Sequence, residues 1–146
     1  MHTIAIGCDP NAQAEKEKLM DFLEKKGYEI TDFGSQDPIY ANTAIAVAEA
    51  VAAGKYDRGI LICGTGLGVS IAANKVKGAY AALVSDVYSA ERAKLSNNAN
   101  IICMGAFTVG DKIREQMADA FLGNTFDPKS ASAPKVDAFV KYDLAR

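Results

Sequence analysis

The stretch Gly59–Lys75, GILICGTGLGVSIAANK, decides how the chain is read. Ile60, Leu61 and Ile62 form a short, wholly apolar run, as expected of a strand covered on both faces. The run stops at Cys63. Gly64, Gly66 and Gly68 follow at alternate positions, with Thr65 between the first two, and Val69 to Lys75 reads as helix. Strand, glycine turn and helix together aim unpaired backbone N–H groups at an anion. Glycines also let a ligand approach the main chain. A thiol and a hydroxyl therefore stand at the mouth of an anion-friendly turn. The same features have a plainer use, since α/β domains often reverse the chain with a glycine turn. An inert, buried thiol is also the common fate of a cysteine.

Outward from this stretch, the composition narrows the classes. A chain of 146 residues suffices for one domain, 1–146, with a sizeable core. The formal net charge of −2 gives nonspecific nucleic-acid binding no electrostatic basis. No apolar run approaches membrane-spanning length, and MHTIAIGCDP opens a strand instead of a signal peptide. Cys8, Cys63 and Cys103 each close an apolar strand, and an odd count without framework spacing points to free thiols in a reducing cytoplasm. With His2 as the only histidine and no CxxC pair, no metal site is expected.

The remaining chain alternates. Strand Thr3–Cys8 leads to Asp9 and an amphipathic helix Ala12–Lys26 capped by Gly27. Strand Tyr28–Phe33, the loop GSQDPIYAN with Tyr40, and an alanine-rich helix Thr43–Ala53 come next. After the central stretch follow strand Tyr80–Val84, helix Val87–Leu95, strand Asn100–Met104 and helix Asp111–Leu122. This βαβ repetition implies an α/β fold, a parallel sheet with helices on both faces. Ligands in such sheets bind beyond the C-terminal strand ends, where Asp9, Cys63, Asp86 and the loop after Met104 all fall. The tail, 124–146, carries a last helix, Val136–Leu144, on a polar link, an arrangement suited to packing on a neighbouring subunit.

At this point CGTGLGVSIAANKV and AALVSDVYSAERAKLSNNANIICMGAFTVG closely resemble the B-type ribose-5-phosphate isomerases and galactose-6-phosphate isomerase subunits. The resemblance spans essentially the whole chain. It implies a Rossmann-like three-layer sandwich with a five-stranded parallel sheet, and a homodimer or tetramer with active sites across the subunit interface. It also implies a cofactor-free aldose–ketose isomerase of phosphosugars, working through a cis-enediolate. Carried over residue by residue, Cys63 matches the catalytic base. Some members place a carboxylate where this chain has Val69, which leaves the role to the thiol. Thr65 matches the proton-shuttling hydroxyl, and the amides of Gly64, Gly66, Leu67 and Gly68 the hole for the enediolate oxygen. Asp9, Tyr40 and Asn97 match substrate ligands. A cysteine phosphatase would need arginine at Val69, and a dinucleotide dehydrogenase a GxGxxG turn after the first strand.

Three departures bear on substrate. Asp9 is followed by Pro10 where the family has histidine; the ring-opening histidine maps to Ser96; and the phosphate-gripping arginines map to Phe107 and to the segment Lys129–Lys135. Lys129 and Lys135 are the replacements on offer, as point charges without a planar fork, unless they are plain solvated lysines. A pentose 5-phosphate closes into a ring through its free O4, whereas a tetrose 4-phosphate has that oxygen esterified and needs no ring-opening group. SAERAKLSNNA, the IYAN loop and the ending KYDLAR also resemble the branch assigned to erythrulose 4-phosphate and erythrose 4-phosphate interconversion. The expectation is therefore a tetrose-phosphate isomerase. A ribose-5-phosphate or six-carbon phosphosugar isomerase is the alternative, and a non-catalytic subunit or phosphosugar sensor is disfavoured by retention of CGTG.

Overall fold

Along β1 (Thr3–Cys8), Ile4, Ile6 and Cys8 turn to one side of the sheet and Ala5 to the other. The same period-two division recurs in β3 (Arg58–Cys63), with Ile60 and Ile62 opposite Leu61 and Cys63, and in β5 (Ile101–Gly105). These three strands are buried on both faces, which is why their sequences read as unbroken apolar runs. The computed structural model describes residues 2–146. With β2 (Glu29–Asp32) and β4 (Ala81–Leu83) at the edges, the strands form one parallel sheet in the order β2-β1-β3-β5-β4.

Helices α1 (Gln13–Lys25), α4 (Val87–Leu95) and α5 (Asp111–Leu122) cover the isoleucine face through Leu19, Leu23, Ala90, Ala93, Met117 and Phe121. Helices α2 (Tyr40–Ala52) and α3 (Leu67–Ala73) cover the other face through small residues and valines, among them Ala44, Val47, Val69 and Ala73. This is the three-layer α/β sandwich expected from the alternation. No helix is long and apolar enough to cross a membrane among the described residues.

Three helices begin earlier than their periodicity predicts. α2 starts at Tyr40, three residues ahead of Thr43, because Asp37 pins the turn before it by accepting from the Ile39 N–H at 2.8 Å and from Asn42 Nδ2 at 3.1 Å. α3 starts at Leu67, directly after Gly66 turns the chain left-handed at φ 82°. α6 (Ala133–Ala145) starts ahead of Val136, with Pro134 in its first turn, where a missing N–H costs nothing. At the other extreme, α1 begins one residue late, behind a 3₁₀ turn over Pro10–Ala12.

The tail is moored to its own chain. Buried Asp143 accepts from the Gly78 N–H and the Tyr80 hydroxyl, both at 2.8 Å, and Phe139 packs on the Tyr80 ring with centroids 5.6 Å apart. Tyr142 and Leu144 remain exposed on the same helix.

Candidate active site

The strand order reverses between β1 and β3, so loops diverge from their C-terminal ends and leave a crevice there. Cys63 is the last residue of β3, and strand alternation turns its side chain to the face covered by α2 and α3. There the chain doubles back, and the Gly66 N–H donates to Cys63 Sγ at 3.1 Å. The thiol is 5% exposed, yet it faces the amide-lined turn instead of hydrocarbon alone. Gly66 is irreplaceable by shape: its φ of 82° suits glycine, and a β-carbon would lie 2.6 Å from Leu83 Cδ1 and 2.9 Å from the Met104 carbonyl carbon.

The amides of the turn divide their work. Gly66 serves the sulfur, and the Leu67 N–H donates to Thr65 Oγ1 at 3.2 Å. The N–H groups of Gly64, Thr65, Gly68 and Val69 have no partner among the described residues, and of these Val69 is 1% exposed while the others are at least partly open. Of the four amides named from the sequence, then, Gly66 and Leu67 are engaged inside the turn. Gly64 and Gly68, the other two, keep N–H groups without a partner among the described residues.

Around this turn the structure gathers further residues. Tyr40, in the first turn of α2, lays its phenol where a Gly68 β-carbon would be, 2.3 Å from Oη, so glycine at 68 makes room for the tyrosine. Asp9 follows β1, with its N–H bonded to the Ile62 carbonyl at 3.0 Å. Its carboxylate accepts from the Asn11 N–H at 2.7 Å through Oδ1, leaving Oδ2 unpaired among the described residues. On the far side of β3, Ala106 and Phe107 donate their N–H groups to the Cys63 and Gly64 carbonyls at 2.8 and 2.9 Å. Asp86, at the same edge, is the cap of α4 and is occupied by the Ser89 N–H and hydroxyl, each at 2.7 Å.

Three of the residues expected at the site lie elsewhere in the chain. Asn97 follows α4, which runs back across the sheet, and so stands at the N-terminal edge of β5, opposite the Cys63 edge. It lines a depression of about 270 Å³ with Asn74, Tyr80 and Phe139. Lys129 and Lys135 are exposed on the tail, and neither ammonium forms an ion pair or hydrogen bond among the described residues. That tail leaves α5 beneath Arg58, whose guanidinium takes the Phe121 and Asn124 carbonyls at 2.6 and 2.9 Å, again at the N-terminal edge. Ser96 is also at that edge, and its hydroxyl accepts from Arg92 Nε at 2.7 Å.

The other thiols are spectators. Burial pushes Cys8 up to about 12, and it pushes Cys103, which lies below Cys63 on the same face, upward as well. All three cysteines are free. Among the described residues, no three His, Cys, Asp or Glu side chains gather as a metal site. A depression of about 540 Å³ between α1 and α5 is remote from this chemistry, and its lysines are already paired, Lys18 with Asp111 and Lys25 with Asp21.

The chain shares its sequence and fold with proteins of known family. Residues 4–139 match the model of the family described as Ribose/Galactose Isomerase. The chain is 54% identical over 148 residues to D-erythrulose-4-phosphate isomerase 2 of Mycolicibacterium smegmatis, with 97% of each chain covered. It is 44% identical over 143 residues to Ribose-5-P isomerase B of Listeria innocua, with 96% of each covered. Ribose-5-phosphate isomerase B of Clostridium thermocellum superposes on it with a TM-score of 0.91, at 39% identity and 98% coverage of both chains. A parallel sheet with a free thiol held at an amide-lined turn, matched over nearly its full length, belongs to the ribose/galactose isomerase family, and the chain is a sugar-phosphate isomerase that interconverts aldose and ketose.

Proposed function

We propose that the substrate is a four-carbon phosphosugar, erythrulose 4-phosphate converted to erythrose 4-phosphate. In this reading the Cys63 thiolate removes the proton from the carbon beside the carbonyl and returns it to the neighbouring carbon. The Gly64 and Gly68 amides hold the enediolate oxygen, which makes that C–H acidic enough to leave. Thr65 passes the hydroxyl proton between the two oxygens, while Asp9 and Tyr40 orient the chain.

One observation carries the choice of length. Where the resemblance expects a ring-opening histidine, Ser96 stands with its hydroxyl held by Arg92 Nε at 2.7 Å. Neither a serine hydroxyl nor a guanidinium titrates near neutral pH, so neither replaces an imidazole as the acid–base group that opens a ring. A site so equipped suits a sugar that cannot close through O4. The relative from Mycolicibacterium smegmatis, named for erythrulose 4-phosphate, supports the same reading. Steady-state kinetics on purified protein tests it: kcat/KM for erythrulose 4-phosphate is expected to exceed that for ribose 5-phosphate. The reverse order sinks it and leaves ribose-5-phosphate isomerase.

We infer also that the working site is shared between two copies. Asn97 stands at the sheet edge opposite Cys63, and Lys129 and Lys135 lie on the tail that leaves α5 at that edge, so in this reading they reach a substrate from a neighbour. Leu67, Ile71 and Leu83, apolar and exposed beside the turn, offer that neighbour a surface. Lys129 and Lys135 then supply the charge that holds the phosphate.

A further inference from the structure

We propose that Phe107 is the wall that limits the length of phosphosugar the site accepts, an inference that rests on the four-carbon reading above. β1 and β5 flank β3, so a substrate lying over Cys63 has Asp9 on one side and the loop after β5 on the other. Phe107 is the large side chain of that second loop. Its ring carbons Cδ2 and Cε2 lie 3.0 Å from the position a Gly64 β-carbon would take, so the ring rests on the backbone of the residue after the thiol. The ring is 74% exposed and fills no core.

Singly exposed apolar residues are ordinary on protein surfaces. Phe107 differs in how firmly its backbone is held. Its own N–H and that of Ala106 are bonded to the Gly64 and Cys63 carbonyls. From beneath, Arg114, 3% exposed, donates to the Gly105 carbonyl at 3.2 Å and the Val109 carbonyl at 2.6 Å, and pairs with Asp111. The ring is thus carried on a loop fastened on one side to the end of the strand that bears Cys63 and on the other to Arg114 of α5. It has no charge and no donor for phosphate or hydroxyl. What it offers a substrate is bulk at a fixed distance from the thiol. A chain one carbon longer, with its proton still presented to Cys63, meets that bulk.

The experiment measures kcat and KM for erythrulose 4-phosphate and ribose 5-phosphate with wild type, Phe107→Leu and Phe107→Ala. A single methylene in an apolar contact is worth about 10–200-fold in discrimination. The preference for the tetrose phosphate is therefore expected to fall by about tenfold or more in Phe107→Ala, with Phe107→Leu between. The change is expected in KM for the pentose more than in kcat, since the proton-transferring groups are untouched. A preference unchanged in both variants, in an enzyme whose wild type still favours the tetrose, overturns the wall and leaves the substrate reading standing. A wild type that favours ribose 5-phosphate overturns the substrate reading, and the wall with it.

Discussion

The distance between Gly66 nitrogen and Cys63 sulfur exists only because the chain turns left-handed at Gly66, and that turn can be tested one residue at a time. An alanine there would hold φ near 82° at a cost of roughly 1–2 kcal/mol and drive a β-carbon into the Met104 backbone, 2.9 Å away. Gly66→Ala is therefore expected to lower thermal stability modestly and kcat by about 10²-fold or more, the scale of a misplaced general base. Thermal melts and steady-state rates check it, and unchanged kcat in a folded variant would contradict the assigned geometry. Much of this turn is legible in the letters alone, because a thiol closing an apolar strand and glycines at alternate positions have few physical uses. What the letters hide is the bookkeeping of amides. Leu67 looks like a donor to substrate until its N–H is seen to be taken by Thr65 Oγ1. Gly64 and Gly68, by contrast, keep N–H groups that nothing in the described residues takes up.

Strands are read more surely than helix ends. β1, β3 and β5 are buried on both faces, so their cores coincide with apolar runs, whereas the starts of α2 at Tyr40 and α6 at Ala133 are set by Asp37 and Pro134, outside any periodic pattern. α6 shows how an element can hang on one polar contact. Its side chain Asp143 is held below the usual carboxylate range, first by the Gly78 N–H, then by the Tyr80 hydroxyl, with Arg146 adding its charge. The same pairing, with burial ahead of it, raises Tyr80 to about 12. A carboxylate whose folded value is depressed contributes stability above its unfolded value, and that contribution is lost as pH falls through the folded one. Hydrogen-exchange protection over 133–145, taken relative to the intrinsic amide rate at each pH, is expected to be high at neutral pH and to fall in acid below about pH 4, while the sheet stays protected. Asp143→Asn removes the charge at every pH, so its α6 is expected to exchange quickly already at neutral pH, with little further change in acid. Equal protection in variant and wild type would show that Phe139 packing on Tyr80, not the carboxylate, holds the helix.

At the scale of the whole molecule, the residues matched to substrate binding divide between two edges of one sheet, and a parallel sheet cannot bring its edges together. Asp9, Tyr40, Cys63 and the open amides share the C-terminal edge, while Asn97 lies beyond a helix that has run back to the other. Spacing in sequence conceals this, since Asn97 falls only a βα unit beyond Cys63, and a single-chain reading places them in one pocket. Two copies related by a twofold axis, as proposed above, would resolve the division, each offering its Asn97 to the other's thiol. Cys63→Ala and Asn97→Ala are each expected to be nearly inactive alone, and both positions tolerate truncation, one small and one exposed. Co-expressed in equal amounts, they form mixed dimers in which one site has lost both groups and the other has kept both. Random pairing then restores about a quarter of wild-type activity. Sites contained within single chains would recover nothing beyond the sum of the two variants, because every chain carries one lesion. The assay thus asks whether Asn97 and Cys63 act on the same substrate from different subunits, and it does so without depending on which sugar is turned over.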